Sequence, residues 1–575
     1  MDYFKNHLAY LIFIGWTTQQ KNDLTCIEWE DKNVHAWDGE TEEITKGGEK
    51  YRSLYTKYYL LEEKVIGIVR NFFQLDRTAR YAFFSILLFT FLYILPIILA
   101  NVYYNDDLAR SYVGYLGWRN DGRPLMEVPF FLFNSSRKQV ADFSPLLLIF
   151  AGAIFSYCLT LFCRRSLPKA SWFGMFTVAA CVYFNFFMLE NLSYKYDTFG
   201  MIIALSLPFA AFSMPEEWPV KIKAPLLSLL LLCSLSLYQA TIGAYAGLLL
   251  FILTLRIYRD ESLMNIGKDL FWKIMVLGMG AIIYKFLIVN FAMVPSQYSA
   301  QHMGILNPIS QNFLAVFYEH ITKFCALFYL YFPSFKRILP ILLGLLGLSS
   351  FYLACLTYQK RKERKIVRFG IALWVFLTPA FLWLASFLLL CLLKKPIYAS
   401  RVLLSFGVAT LYGGFLFYQV QQKIRLFAIV PLGVLIITLA SSSLYGNLLT
   451  RQEDMNRQVA TYLVYDINAV QQQMKTSFNT LQLTGGMIKC RELQLSEERK
   501  PLLTQMVTKF SLGGGLCFRK QYIQHMQNSE WKIDDKGPLS GVVPPSSKQP
   551  LVMNEFYNIT PDGDKLIITF KDFQK

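Results

Sequence analysis

The sequence predicts a mainly α, polytopic membrane helix bundle of about eleven transmembrane helices with a small C-terminal mixed α/β extracytoplasmic domain. Three observations carry this. The chain of 575 residues is 54% hydrophobic and only 17% charged, where soluble domains carry about 25% charged residues. Apolar runs close to the length of a bilayer crossing recur from Tyr81 onward. The net charge of +17 sits largely in short loops between those runs, which marks membrane topology rather than a nucleic-acid surface.

Taken in order, residues 1–76 form an N-terminal cytoplasmic or interfacial segment. Its acidic, Gly-containing stretch 28–49 reads as a loop, and Tyr51 to Arg77 shows helical spacing of Leu54, Tyr58, Leu61, Val65, Ile68 and Phe72 beside several arginines. The apolar run at 8–16 is too short to span, and no small-residue cleavage site follows it. Residues 77–443 form the transmembrane domain, with spans near 81–100, 144–163, 171–189, 198–213, 224–239, 242–256, 270–292, 338–358, 369–393, 402–420 and 425–443. The helical pattern from Phe313 to Phe332 lies along the membrane, dips into it or adds a span. With the N-terminus inside, Arg164-Arg165, Arg256, Arg259, the run Lys360–Lys365 and Lys423 all fall inside, in agreement with the positive-inside bias. The loops at 101–143, 190–197, 293–337 and 394–401 then face outward, as does the C-terminal domain, 444–575. That domain reads as a Gln-rich helix from Arg451 to Lys475, then strand-like runs at Met487-Ile488 and Lys565–Phe570 and a Pro544-Pro545 loop.

The outer loops hold the residues fit for chemistry. Asp106 and Asp107 follow the first span, and paired carboxylates at a membrane rim are costly to place. Adjacent carboxylates raise one another's pKa, which suits a base near neutral pH, so either is a candidate catalytic base. Helix capping accounts for one of them at most. Arg110, Trp118, Arg119 and Arg123 follow, cations suited to a phosphate or carboxylate, with an Arg123–aspartate ion pair as the plain alternative. Tyr194, Lys195 and Asp197 crowd a second outer turn, Glu190 to Asp197. Lys394, Lys395, Tyr398 and Arg401 form a third cluster, either a seat for a lipid-borne phosphate or snorkelling anchors. Tyr238-Gln239 interrupts an apolar segment and reads as a contact to a sugar hydroxyl or between helices.

Of the ten cysteines, Cys490 and Cys517 lie in the polar C-terminal region and form a possible disulfide if that region is extracytoplasmic. No metal-ligand spacing occurs, and the five histidines do not cluster, so neither a metal nor a cofactor is expected. The charges sit at one face and no internal repeat is visible, which disfavours a transporter or flippase of lipid-linked sugars. A polymerase of lipid-linked glycans is less easily set aside.

The motifs Asn105–Arg110, Gly117-Trp118, Asp121–Leu125, Glu190–Asp197, Leu237–Ala240 and Ser400-Arg401 are similar to those of the bacterial serotype-converting O-antigen glucosyltransferases, the Gtr family, over roughly residues 80–450. The resemblance implies a GT-C-like glycosyltransferase in the bacterial inner membrane, with its active site facing the periplasm. It implies a polyprenyl-phosphate-linked sugar as donor, glucose as that sugar, and a lipid-linked O-antigen glycan as acceptor. A catalytic carboxylate in the first periplasmic loop maps onto Asp106 or Asp107.

Overall fold

In a computed structural model, residues 74–134, 139–294, 297–486, 488–507, 520, 522–524, 531–535 and 549–571 are described. Almost all of the N-terminal segment, including the helix expected from Tyr51, lies outside these residues, as do Cys517 and the Pro544-Pro545 loop.

Among the described residues, ten helices are long and apolar enough to cross a membrane: Arg77–Ala100, Leu146–Ser166, Val220–Leu237, Gln239–Tyr258, Leu263–Ala292, Phe313–Ser334, Ile338–Lys360, Lys365–Ala385, Ser400–Gln421 and Arg425–Met474. The chain is a polytopic helical membrane protein. Nine of the expected spans coincide with these helices. The two expected at 171–189 and 198–213 are shorter apolar helices, Trp172–Phe184 and Thr198–Ala211. Phe313–Ser334 completes the ten.

The first long helix starts at Asp76, whose Oδ1 accepts from the Ala79 N–H at 2.8 Å, and stops at Asn101 in the left-handed region. Several others are broken at the end nearest the 101–126 loop. Val220–Leu237 gives way to a 3-10 turn at Gln239–Thr241, Trp172–Ala180 to one at Cys181–Phe184, and Gly407–Gln421 is preceded by another at Ser400–Phe406. A break leaves backbone groups needing partners, tolerable at membrane depth only inside protein or along a cavity. Side chains supply them. Asn185 Nδ2 donates to the carbonyls of Leu403 and Leu404 at 3.1 and 3.0 Å, and Ser405 Oγ donates to Ala240 O at 3.0 Å.

The last long helix does not stop at residue 443. It runs from Ile429 to Met474, and its C-terminal half supplies Val459, Ala460, Leu463, Ile467 and Val470 to the core of the C-terminal sheet. Gly446 permits its close approach to the first helix, because a Cβ there would stand 2.5 Å from the Cβ of Pro96. The sheet comprises β1 (Thr480–Gly485), β2 (Lys532–Asp535), β3 (Val552–Met553), β4 (Tyr557–Asp562) and β5 (Lys565–Phe570) in the order β2-β1-β5-β4-β3. β1 pairs in parallel with β2 and β5, while β5-β4-β3 are antiparallel. The strand expected at Lys565–Phe570 is β5. Of the run expected at Met487-Ile488, Met487 lies outside the described residues and Ile488 is in no strand, β1 ending at Gly485.

Candidate active site

The short helix Asp106–Val113 opens the site. Its two aspartates occupy the first turn, where the helix dipole favours negative charge. Their surroundings are opposite. Asp107 is fully buried and accepts from the backbone N–H of Lys195 at 2.6 Å, Tyr196 at 3.3 Å and Tyr104 at 3.3 Å. Burial pushes its pKa well up and Asp197 adds to the rise, while the Lys195 N–H bond, Arg110 and the Tyr196 N–H oppose it. Its oxygens are spent on joining the 101–143 loop to the Glu190–Asp197 turn.

Asp106 is exposed, and no hydrogen bond or ion pair joins it to another described residue. Its pKa is raised, first by loss of water and then by Asp197, against the pull of Arg401, Arg110 and Arg123. An accessible carboxyl that is still short of water fits a concave, open surface.

Arg110 forms a 2.6 Å ion pair with Asp197, with both side chains under 10% exposed. Its guanidinium lies 4.0 Å from the Trp118 ring centroid, and Trp118 Nε1 donates to the other oxygen of Asp197 at 2.7 Å. Trp118 in turn stacks on Phe130 at 5.0 Å. These three expected substrate contacts are therefore engaged with one another.

Arg401 is held from several directions. Its N–H donates to Glu190 Oε2 at 2.8 Å, and its guanidinium donates to the Tyr194 hydroxyl at 2.6 Å and to Glu190 Oε1 at 3.4 Å. Its carbonyl accepts from Asn191 Nδ2 and from the Tyr238 hydroxyl, each at 3.0 Å. The chain continues through Asn105 Nδ2, which donates to the Tyr194 hydroxyl at 3.3 Å, so Arg401 is linked to the residue preceding Asp106.

Arg123 stands over Tyr238, 4.9 Å from the ring centroid, and its Nε donates to Gln239 Oε1 at 3.1 Å. No described carboxylate bonds it, so the Arg123–aspartate ion pair is not formed. Gln239 donates through Nε2 to Asp121 O at 2.7 Å and to the Tyr284 hydroxyl at 2.9 Å, and Tyr284 donates to Gly122 O. The Asn120-Asp121-Gly122 turn is thus clamped by a broken helix and by the residue that precedes the π-helical stretch Lys285–Ala292.

The side chains of the remaining expected residues are engaged away from this cluster. Arg119 pairs with Glu127 at 3.0 Å at the surface. The Lys195 ammonium pairs with Asp142 at 3.3 Å and lies over Tyr103. Lys394 and Lys395 bond the 301–304 segment through Gly304 O and Gln301 Oε1, and the Tyr398 ring packs on Phe324. Of the cations at 394–401, only Arg401 is brought to the aspartates. Cys490 is a buried free thiol among the described residues, and its expected pairing with Cys517 falls outside them. No three of the described His, Cys, Asp and Glu residues converge as metal ligands. His302 and His320 bond the carbonyls of Lys395 and Cys391.

Sequence reasoning gave no role to Tyr104, Ser400 or Tyr284, and quoted Glu190 without assigning it the partnership with Arg401. A Glu opposite an outer-face Arg was the available signal for that pair. Tyr284 sits inside an apolar run, where nothing marks it.

No solved structure matches this chain. An uncharacterized 55.3 kDa protein in the gtrB 5' region of Salmonella phage P22 is 30% identical over 226 residues, covering 39% of this chain and 45% of that relative. The chain thus spans less than half the length of that relative. The family model described as glucosyl transferase GtrII matches residues 95–418, which take in the 101–143 loop, the Glu190–Asp197 turn, Tyr238-Gln239 and Arg401. With more than half of its length matched, including every element of the aspartate–arginine cluster, the chain belongs to the GtrII glucosyl transferase family.

Proposed function

We propose that the protein transfers a hexose, glucose by family membership, from a polyprenyl-phosphate carrier to a lipid-linked O-antigen glycan on the periplasmic face of the bacterial inner membrane, with Asp106 as general base. The observation that carries this reading is the contrast between the aspartates. Asp107 is consumed by backbone N–H groups, whereas the Asp106 carboxyl is open and has no hydrogen-bond or ion-pair partner among the described residues, with three guanidiniums acting on it.

In the proposed step the acceptor hydroxyl oxygen attacks the anomeric carbon. The bond from that carbon to the phosphate oxygen breaks, and the lipid phosphate leaves with the electron pair. Asp106 takes the hydroxyl proton. Arg123, with its terminal nitrogens unclaimed by any described carboxylate, and Arg401, anchored by Glu190, are the cations for the departing phosphate. Gln239 orients Arg123 and does not reach for a sugar, because Oε1 and Nε2 both have protein partners. A small cleft of about 30 Å³ lies beside Tyr104 and Tyr194, and Ile97, Ile98, Leu148, Leu192 and Leu449 make its walls apolar.

The test supplies membranes with labelled polyprenyl-phosphate glucose and lipid-linked glycan, and compares the parent with Asp106→Asn and Asp107→Asn. Losing a general base costs about 10²- to 10⁴-fold in turnover, expected for Asp106→Asn at unchanged protein level. Asp107→Asn is expected to lower the amount of folded protein. Parent turnover in Asp106→Asn, or movement of the donor without glycosyl transfer, overturns the assignment.

A further inference from the structure

The aspartate helix is not held by the membrane bundle alone. Asp107 and Arg110 face the bundle through the backbone of Lys195-Tyr196 and through Asp197. Leu108, between them, is 3% exposed and belongs to the other core, the one built under the C-terminal sheet with Val459, Leu463, Ile559 and Ile568.

A second piece of the C-terminal region reaches the site from another side. After the short helix Arg491–Glu497, residues Leu502, Leu503, Met506 and Val507 are buried in the bundle's own core. The Met506 carbonyl accepts from the Tyr104 hydroxyl at 2.6 Å, two residues before Asp106. Gln505 Nε2 donates to Ser400 Oγ at 3.3 Å, one residue before Arg401. Lys500 and Leu502 fix the segment by donating to Ser334, through Nζ to its carbonyl at 2.6 Å and through N to its hydroxyl at 3.0 Å.

We propose that the C-terminal region is a working part of the catalytic centre, in which Leu108 seated in the sheet core and the 500–507 segment bridging Tyr104 to Ser400 together set the position of Asp106 relative to Arg401. Leu108, Tyr104 and Gln505 are then positioning residues, and the inference rests on Asp106 as base. Helix propensity gives an eight-residue helix little stability of its own, so its place depends on what it packs against. Misplacing a reacting group by about 1 Å costs on the order of 100-fold.

The experiment uses the full chain in membranes, with Leu108→Ala, the volume-conserving Leu108→Met, and Tyr104→Phe, which removes only the hydroxyl. Three quantities are read: kcat, KM for labelled polyprenyl-phosphate glucose, and the titration of Asp106 by isotope-edited infrared spectroscopy, with Asp106→Asn as the spectral reference. In Leu108→Ala, kcat is expected to fall on the order of 10- to 100-fold at nearly constant KM. The Asp106 titration moves down toward the ordinary carboxylate range as water reaches the group, with Asp197, Arg401, Arg110 and Arg123 still around it. Leu108→Met restores both. Tyr104→Phe loses about 3- to 10-fold in kcat, and it carries the test if Leu108→Ala does not fold. Parent kcat and an unmoved titration in both Leu108→Ala and Tyr104→Phe overturn the proposal. If Asp106→Asn keeps its turnover, the base assignment fails instead, and the infrared titration alone still decides whether the C-terminal region sets this carboxyl's surroundings.

Discussion

The Arg110–Asp197 pair gives the sharpest quantitative test of how the 101–143 loop and the Glu190–Asp197 turn are locked together. Asp197 is the hub, since one oxygen accepts from Arg110 at 2.6 Å and the other from Trp118 Nε1 at 2.7 Å. Replacing Asp197 by Leu leaves a guanidinium whose side chain is 7% exposed without its counter-charge, and an indole N–H without its acceptor. At 2.6 Å and an effective dielectric constant of about 20, the attraction is about 6 kcal/mol before desolvation is charged against it. Breaking one side of such a pair costs about 3–5 kcal/mol, because the remaining charge stays buried. The aromatic faces of Trp118 and Tyr115 around Arg110 place the loss toward the lower figure. Arg110→Met together with Asp197→Leu removes both charges and recovers part of the loss. The assay is denaturant unfolding in detergent micelles across the four proteins of a double-mutant cycle. A loss below about 1 kcal/mol for Asp197→Leu, the range of an exposed pair, refutes the reasoning, and so does a double variant whose loss equals the sum of the two singles.

Two further outcomes follow from the same cluster. The raised pKa of Asp106 places the acid limb of kcat/KM above the usual carboxylate range, because the base works only once ionised. The same shift favours the protonated form on folding, so Asp106's contribution to stability is present at low pH and is lost as pH rises through its folded pKa. Arg123→Gln removes a charge that lowers this pKa and moves the limb to higher pH, while Asp197→Asn moves it lower; a limb that stays put in both variants contradicts the placement of these charges. Gly122 has φ +70°, and a Cβ there would stand 2.8 Å from the Tyr284 hydroxyl, so Gly122→Ala should cost about 1–2 kcal/mol in unfolding measurements. Adding Tyr284→Phe should return part of that loss, and no recovery argues that strain alone, not the close approach, makes the glycine necessary.

The parts of this fold legible in the sequence are those governed by composition. Long apolar runs gave the crossings, and Lys565–Phe570 alternates and branches as a strand does, which is what β5 became. The two spans expected at 171–189 and 198–213 are shorter helices for a reason composition does not carry: the first breaks at Asn185, whose amide serves the backbone of Leu403 and Leu404, a partner more than 200 residues away. The helix ending expected at 443 fails similarly. No Pro occurs between 443 and 475, and the apolar face continues into the sheet, so the helix does too. Within the site, the residue types were readable and their division of labour was not. Asp106 and Asp107 are neighbours of one kind, and only the fold turns one inward to three N–H groups and leaves the other open. Lys394 and Lys395 read as partners of Arg401 because they are close in sequence, yet they belong to the 301–304 segment.

That division explains why two carboxylates stand at this rim. A base needs an accessible oxygen, and an accessible carboxylate on a loop has little to hold it still. Placing a second carboxylate next to it in the chain, buried and bonded to the backbone of the opposite loop, fixes the first one's Cα without touching its oxygens. The arginines follow the same pattern. Arg110 is spent on Asp197 as a fixed point, whereas Arg123 is held through Nε by Gln239 and Arg401 through its backbone by Glu190, Asn191 and Tyr238. For Asp106 and Arg123, then, the holding contact is made through the backbone or the inner nitrogen, and the outer polar atoms stay clear of described carboxylates and hydrogen-bond donors. In the proposed transfer, preorganisation of this kind lowers the reorganisation needed when charge develops on the leaving phosphate, which is the larger part of what such a site contributes to rate.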